Sequence, residues 1–258
     1  MKNNLISILI TNYNKSKFLK KSLNSLFNQN YRNFEIILFD DCSEDNSIKI
    51  IKKFKKVKLI KNKKKLYNSG PMNQINGLIQ AFKYSKGKII CLMDADDFFN
   101  KNKLSVIDNY FKKNPNNKIV FDFPKTAKKI KFSIKRDKSY FIWPTIFPTS
   151  CISIRRESFK FFIKKIQKKN YSNLEIDARM TIFFRFYHNE YNLIKKKITV
   201  YNYDHFGITS KINKYSKFWW FRRLEAFQYL KYTLLLKNKK FKVSLDYLLT
   251  NLIVFFLK

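Results

Sequence analysis

The chain has 258 residues, 45% of them hydrophobic and 17% aromatic, enough for one substantial domain with its own core and too apolar for overall disorder. Its 54 Lys+Arg against 18 Asp+Glu give a formal net charge of +36, a field that attracts nucleic acid, anionic membrane or a phosphorylated substrate. Lys, Asn, Ile, Phe and Tyr are abundant throughout while Gly (4) and Pro (5) are scarce, the look of A+T-rich coding, so basicity alone selects no partner. Cys42, Cys91 and Cys151 are widely spaced, offer neither a C-x-x-C zinc pair nor a secreted-type disulfide framework, and fit a reducing compartment.

In chain order, "LISILI" (5–10), "EIILF" (35–39), "VKLIKN" (57–62), "KIICLM" (88–93) and "KIVFDF" (118–123) are apolar or β-branched runs of strand length. "LISILI" is too short for a signal-peptide core or a spanning helix. Between the runs lie four segments of helical period: Phe18 to Phe27, Ile48 to Phe54, Met72 to Phe82 and Leu104 to Phe111. Strand alternating with helix predicts an α/β fold, a mostly parallel sheet sandwiched by helices. Residues 124–150 read as extended structure and loops. "CISIRRESFKFFIKKIQKK" reads as a strand entering a helix, "NLEIDARMTIFFRFYHNE" as a helix with His188 on its surface, and "IKKKITVYNYDH" as a further strand. From Lys214 onward, Leu-rich and aromatic helical segments alternate with Lys.

In such sheets ligands sit at the carboxyl ends of the strands, where strand order reverses. Polar loops follow three strands here, "TNYN", "FDDCSED" and "MDADD", so their side chains can converge on one crevice. Asp94, Asp96 and Asp97 exceed what a helix cap near Asn100 or Asn102 needs. Mutual repulsion among them calls for a cation, and without His or Cys nearby the choice is a hard ion such as Mg²⁺ or Mn²⁺, which implies a phosphate-bearing ligand.

The stretch "SILITNYNKSKFLKKSLNSLFNQNYRNFEIILFDDCSEDNS" resembles the opening of family-two, GT-A-fold, inverting glycosyltransferases. "NSGPMNQINGLIQAFKYSKGKIICLMDADD" continues the likeness through a glycine-containing helix and the family's D-x-D motif, and it extends more faintly through "FPTSCISIRRESF" and "NLEIDARMT", about residues 4–210 in all. The joint order and spacing of the first three motifs carry the resemblance.

It implies a Rossmann-like GT-A domain over residues 1–213, with a short helical, basic-aromatic extension over 214–258. At matching positions it implies that Thr11, Tyr13 and Asn14 form the wall of a nucleoside pocket and that Asp41 accepts from the N–H of a uracil-type base. Asp94 and Asp96 stand at the D-x-D motif, with Asp96 on the metal and Asp94 at the ribose or a metal-bound water. Asp97 is expected to orient the acceptor or the metal shell, and His205 to lie near the metal or diphosphate unless it is a surface residue at a strand end. Asp177 matches the family's catalytic base, against the plainer reading of Glu175 and Asp177 as acids complementing a helix start. Thr11 replaces the family's usual proline, and Cys42 a common glycine, which leaves the loop after Asp41 without easy positive φ. Residues 71–79 lack the frequent Arg-Asn pair, so Gln74 and Asn76 receive no phosphate-binding role.

The expected activity is metal-dependent transfer of a sugar from a UDP-sugar to a glycan or lipid-linked acceptor in surface polysaccharide or glycoconjugate synthesis. Two other readings are a sugar-phosphate nucleotidyltransferase, whose glycine-rich basic loop "TNYNKSKF" does not supply, and a basic nucleic-acid-binding protein, which the clustered acids oppose. The expected location is cytoplasmic. Trp219, Trp220, Arg222, Arg223 and the apolar run from Leu248 either pack on the domain or anchor it peripherally on anionic lipid.

Overall fold

The computed structural model describes residues 3–126, 142, 146–166, 171–202 and 212–257. Four strands, β1 (Ile6–Asn12), β2 (Phe34–Asp40), β3 (Val57–Lys61) and β4 (Ile89–Asp94), lie parallel in the order β3-β2-β1-β4. They coincide with the first four apolar runs, because each is β-branched and bounded by polar turns. Strand order reverses at β1, which has β2 on one side and β4 on the other. The sheet continues beyond β4 with β5 (Phe98–Phe99), β6 (Ile119–Lys125), β7 (Ile152–Arg155) and β8 (Leu193–Val200) in the order β4-β7-β6-β8-β5. There it is mixed: β7 runs antiparallel to both β4 and β6, while β6 and β8 are parallel.

Alternation along the strands sends side chains to two cores. Ile6, Ile8 and Ile10 face Leu19, Leu23 and Leu26 of α1 (Ser16–Phe27), and Leu104 and Ile107 of α4 (Lys103–Lys113). Leu9, Ile37 and Phe39 face the other side with Ile75 and Leu78 of α3 (Gly70–Lys83), Phe159 of α5 (Arg156–Ile166) and Phe183 of α6 (Ile176–Tyr187). The second periodic segment yields only a short α2 (Ser47–Ile51), with Phe54 packed in the turn beyond it. Most of residues 124–150, and His205, lie outside the described residues.

Close backbone approach decides two glycines. A Cβ on Gly77 of α3 would stand 2.8 Å from the Phe39 ring and 3.0 Å from Thr11, and one on Gly87 would stand 2.5 Å from the backbone N of Ser7. Gly77 therefore lets α3 sit down over the ends of β1 and β2.

Two helices complete the chain. On α7 (Lys217–Leu235), Ala226, Phe227, Tyr229, Leu230 and Leu234 are buried members of the same core as α3 and α6. The start of the 214–258 segment is thus built into the domain, while α8 (Leu245–Leu257) buries only Thr250 and Val254. His188, expected on a surface, is half-buried against Phe161, Phe183, Phe184 and Tyr187, where burial pushes its imidazole down to about 4.

Behind the sheet ends lies a fully buried ion pair. Lys103 Nζ donates to Asp122 Oδ2 at 2.6 Å, to the Ser150 carbonyl at 2.7 Å and to Thr199 Oγ1 at 2.5 Å. Thr199 in turn donates to Asp122 Oδ1 at 2.6 Å. Lys103→Met strands the Asp122 charge, so urea denaturation should show a loss of about 3–5 kcal/mol, of which Lys103→Met/Asp122→Leu recovers a substantial part.

Candidate active site

The candidate site lies where β1, β2 and β4 end side by side. Thr11 is in register with both Phe39 and Asp94, and Asn12 with Asp40. The buried Asn12 amide donates to Asp40 Oδ1 at 2.6 Å and to Ser43 Oγ at 3.1 Å. Ser43 gives Asp40 both its hydroxyl, at 2.7 Å, and its backbone N–H, at 3.0 Å. Across the gap Asn14 donates its backbone N–H to Ser43 Oγ at 2.9 Å, and its Oδ1 accepts from the Glu44 N–H at 2.8 Å. The loops after β1 and β2 are therefore one hydrogen-bonded unit.

Both loops use left-handed backbone, Asn14 at φ 50° and Cys42 at φ 61°. Asparagine takes this conformation readily, while cysteine gives up about 1–2 kcal/mol. The turn thus takes positive φ at Cys42 without a glycine to make it easy, and the Asp40–Ser43 bonds hold its shape.

Asp41 is 8% exposed, and its Oδ1 accepts from Asn62 Nδ2 at 2.7 Å. Tyr13 is 42% exposed at the rim, with Lys65 Nζ 3.4 Å from its ring centroid. Thr11, Tyr13, Asn14 and Asp41 thus gather at adjoining strand ends, as the sequence expects of them.

The three aspartates after β4 separate into two kinds. Asp94 and Asp96 are half-buried, whereas Asp97 is fully buried. Asp97 Oδ1 accepts from the Asn202 backbone N–H at 2.9 Å, and its buried Oδ2 has no hydrogen-bond partner. Asp94 is fixed from two sides: its N–H donates to Ser150 Oγ at 2.9 Å, and its Oδ1 accepts from Gln74 Nε2 at 2.7 Å. Burial, then the Asp96 charge, pushes the Asp94 carboxyl up to about 7. Burial, then Asp94 and Asp96, holds Asp97 well above the ordinary carboxylate range. Asp96 is paired instead with Lys15, whose Nζ lies 2.8 Å from Oδ2.

Asp177 enters from the first turn of α6 and is half-buried. Burial, then Glu175, pushes its carboxyl up to about 7, with Arg222 opposing and Asp94 close enough to add to the rise. Glu175 is buried at the N-cap position and accepts from Arg222 Nε of α7 at 2.6 Å. Beside it Glu225 of α7 accepts from the Asn173 backbone N–H at 2.7 Å and from Asn173 Nδ2 at 2.7 Å. The segment leading into α6, and with it the helix start that carries Asp177, is thus held by α7.

Sequence reasoning missed Lys15, Gln74, the Asn12–Asp40–Ser43 network and Arg222. Gln74 had a usable signal, since "SGP" is a helix start: Ser69 Oγ accepts from the Met72 N–H at 3.2 Å and Pro71 occupies the first turn. That start puts Gln74 at the strand-end side of α3. Lys15 has none, being one cation among 54, and for Arg222 the sequence points to packing or lipid contact of the last segment and not to Glu175.

A hard divalent ion suits the donors present. They are carboxylate oxygens, burial and then the Asp96 charge raise the Asp94 carboxyl, and the buried Asp97 Oδ2 has no hydrogen-bond partner. Among the described residues no three His, Cys, Asp or Glu side chains form a metal cage.

The family model "Glycosyl transferase family 2" matches residues 7–192. An uncharacterised glycosyltransferase of Mycoplasma genitalium is 31% identical over 134 residues, 50% of this chain and 44% of that one. An Escherichia coli UDP-Glc:alpha-D-GlcNAc-diphosphoundecaprenol beta-1,3-glucosyltransferase is 33% identical over 104 residues, 40% and 39% of the two chains. This chain therefore spans less than half the length of these curated relatives. Among solved structures, Staphylococcus aureus TarS 1–349 with UDP-GlcNAc superposes with a TM-score of 0.66 at 16% identity, over 96% of this chain and 70% of that one. A Pyrobaculum calidifontis mannosyltransferase with GDP-Man and Mn²⁺ gives 0.57 at 11% identity, over 99% and 70%. Likeness at such identity shows the GT-A fold.

Because the folded Asp177 takes its proton near 7 and the unfolded one near 3.8, the fold gains stability as pH falls through 7 and bears the charged form above it. Asp177→Asn should therefore raise Tm at pH 8 by about 2–4 °C or more, with the gain gone by pH 4 in a calorimetric scan series.

Proposed function

The chain belongs to glycosyl transferase family 2, and from that membership we propose that it is an inverting transferase moving a sugar from a UDP-sugar to a glycan or lipid-linked acceptor. The observation that carries this is the meeting of half-buried Asp94 and Asp96, at the end of β4, with half-buried Asp177, at the start of α6. Membership favours sugar transfer over nucleotidyl transfer or nucleic-acid binding.

On this reading Asp41 accepts from the base, and Tyr13 with Thr11 and Asn14 walls the nucleoside. Rigid loops make that pocket ready before the donor arrives, which lowers the ordering cost of binding. Asp94, steadied by Gln74 and Ser150, faces the ribose, and Asp96 faces the diphosphate. Asp96, with Asp94 beside it, would hold Mn²⁺ or Mg²⁺, which when bound supplies positive charge against the leaving diphosphate; His205, the other expected ligand, lies outside the described residues. Lys15 would then turn from Asp96 toward the same phosphates, and Asp97 would hold Asn202 at the edge of the site.

The acceptor hydroxyl attacks the anomeric carbon from the face opposite the leaving group. Asp177 removes its proton as the new C–O bond forms and the bond to the diphosphate breaks, releasing UDP and inverting the centre. A base with a carboxyl near 7 is matched to that transfer at neutral pH. An acceptor carried on lipid would bring the enzyme to the cytoplasmic face of a membrane, as a peripheral protein of polysaccharide synthesis.

Calorimetry with UDP, with and without Mn²⁺, tests the donor site: binding should need the metal and fall sharply in Asp96→Ala. No UDP binding by the wild type under either condition would overturn the donor assignment. Asp177→Asn should keep UDP binding while turnover drops roughly 10²–10⁴-fold, and wild-type turnover should rise with pH through about 7.

A further inference from the structure

Helix α8 is built inside out. Leu245, Leu248, Leu249, Leu252, Phe255 and Phe256 are 85%, 52%, 51%, 56%, 73% and 77% exposed. Their spacing of three and four residues makes one continuous stripe along the helix. The inward face is smaller: Thr250, 0% exposed, and Val254, 1% exposed, are buried, and half-buried Tyr247 packs on Phe227. A soluble surface helix has the reverse arrangement, and six neighbouring large apolar side chains are a patch that needs a partner.

What surrounds the stripe selects that partner. The connection from α7 is "LKNKKFKVS" (236–244), in which Lys237, Lys239, Lys240 and Lys242 are exposed and no acid occurs. Val243 continues the apolar surface at 61% exposed. From 236 to 257 the only acid is Asp246, and Arg223 donates to it, so its charge is taken up within the protein. Against a second copy of the chain, two lysine-rich loops would meet in a molecule already carrying +36. A bilayer with anionic headgroups meets both demands, with acyl chains for the stripe and phosphates for the lysines.

We propose that the outward face of α8, with the lysines before it, docks on an anionic lipid bilayer. Its 13 residues span about 20 Å, too short to cross, and no described helix is long and apolar enough to do so, so α8 lies in the plane of the interface. The proposal rests on the peripheral location given above only for why an enzyme should sit there; docking itself needs neither nucleotide nor acceptor. Because α7 belongs to the core, the helix is tested by substitution on its outer face rather than by truncation.

The full chain is sedimented with phosphatidylcholine vesicles, with and without phosphatidylglycerol. Binding is expected only to the anionic vesicles. Leu248→Ser/Leu252→Ser/Phe256→Ser should weaken it tenfold or more, roughly as apolar burial in the interface predicts. Lys239→Gln and Lys242→Gln should each weaken it roughly fivefold at low salt. Phe256→Trp should report a blue-shifted emission with anionic vesicles alone. Unchanged circular dichroism and UDP binding in the stripe variant separate loss of docking from loss of fold or of the donor site. Three results would overturn the proposal: no vesicle binding by the wild type, equal binding by the stripe variant, or a wild-type dimer that the stripe variant dissolves.

Discussion

The site rests on a lysine that never meets water. Lys103 stands at the first position of α4, is 0% exposed, and spends its three protons on β6, β8 and the turn at Ser150. A buried ammonium is tolerable only when its acceptors are fixed, so the three elements cannot slide independently. Ser150 then accepts from the backbone of Asp94, which passes that rigidity to the end of β4. On the other side the Asn12–Asp40–Ser43 bonds do the same for β1 and β2. The site is therefore bounded by strand ends whose relative heights are set by hydrogen bonds and not by loop packing.

Within that frame the fold concentrates negative charge in a chain that has little of it. Asp94, Asp96, Asp97, Glu175 and Asp177 are brought together, and burial with mutual repulsion raises the carboxyls of Asp94, Asp97 and Asp177. Two cations keep the arrangement stable: Lys15 on Asp96, and Arg222 on Glu175. Such carboxyls cost stability, and their repulsion is relieved by a cation or by proton uptake.

The last two helices divide the remaining work. α7 joins the core through Phe227, Tyr229 and Leu230 and reaches the segment before Asp177 through Arg222 and Glu225. α8 leans on α7 through Tyr247, with Arg223 holding Asp246, and turns its larger apolar surface outward. One segment thus supports the site and presents a face away from the core.

From the sequence alone the parallel strands β1 to β4, the helices between them and the gathering of Thr11, Tyr13, Asn14, Asp41, Asp94 and Asp96 were all legible. Those features are written in local period and in motifs at strand ends, where chain direction alone sends the side chains to one edge of a parallel sheet. The tertiary structure decided what depends on contacts far apart in the chain. It placed β7 antiparallel inside the sheet, buried Asp97 fully while leaving Asp94 and Asp96 half-buried, drew His188 into an aromatic pocket, and kept Cys42 left-handed. It also chose Lys15, Lys103 and Arg222 from 54 chemically similar cations. A side chain's type and spacing do not say which charge will lose its water; that is settled only when distant elements close around it and the desolvated group must find its partner.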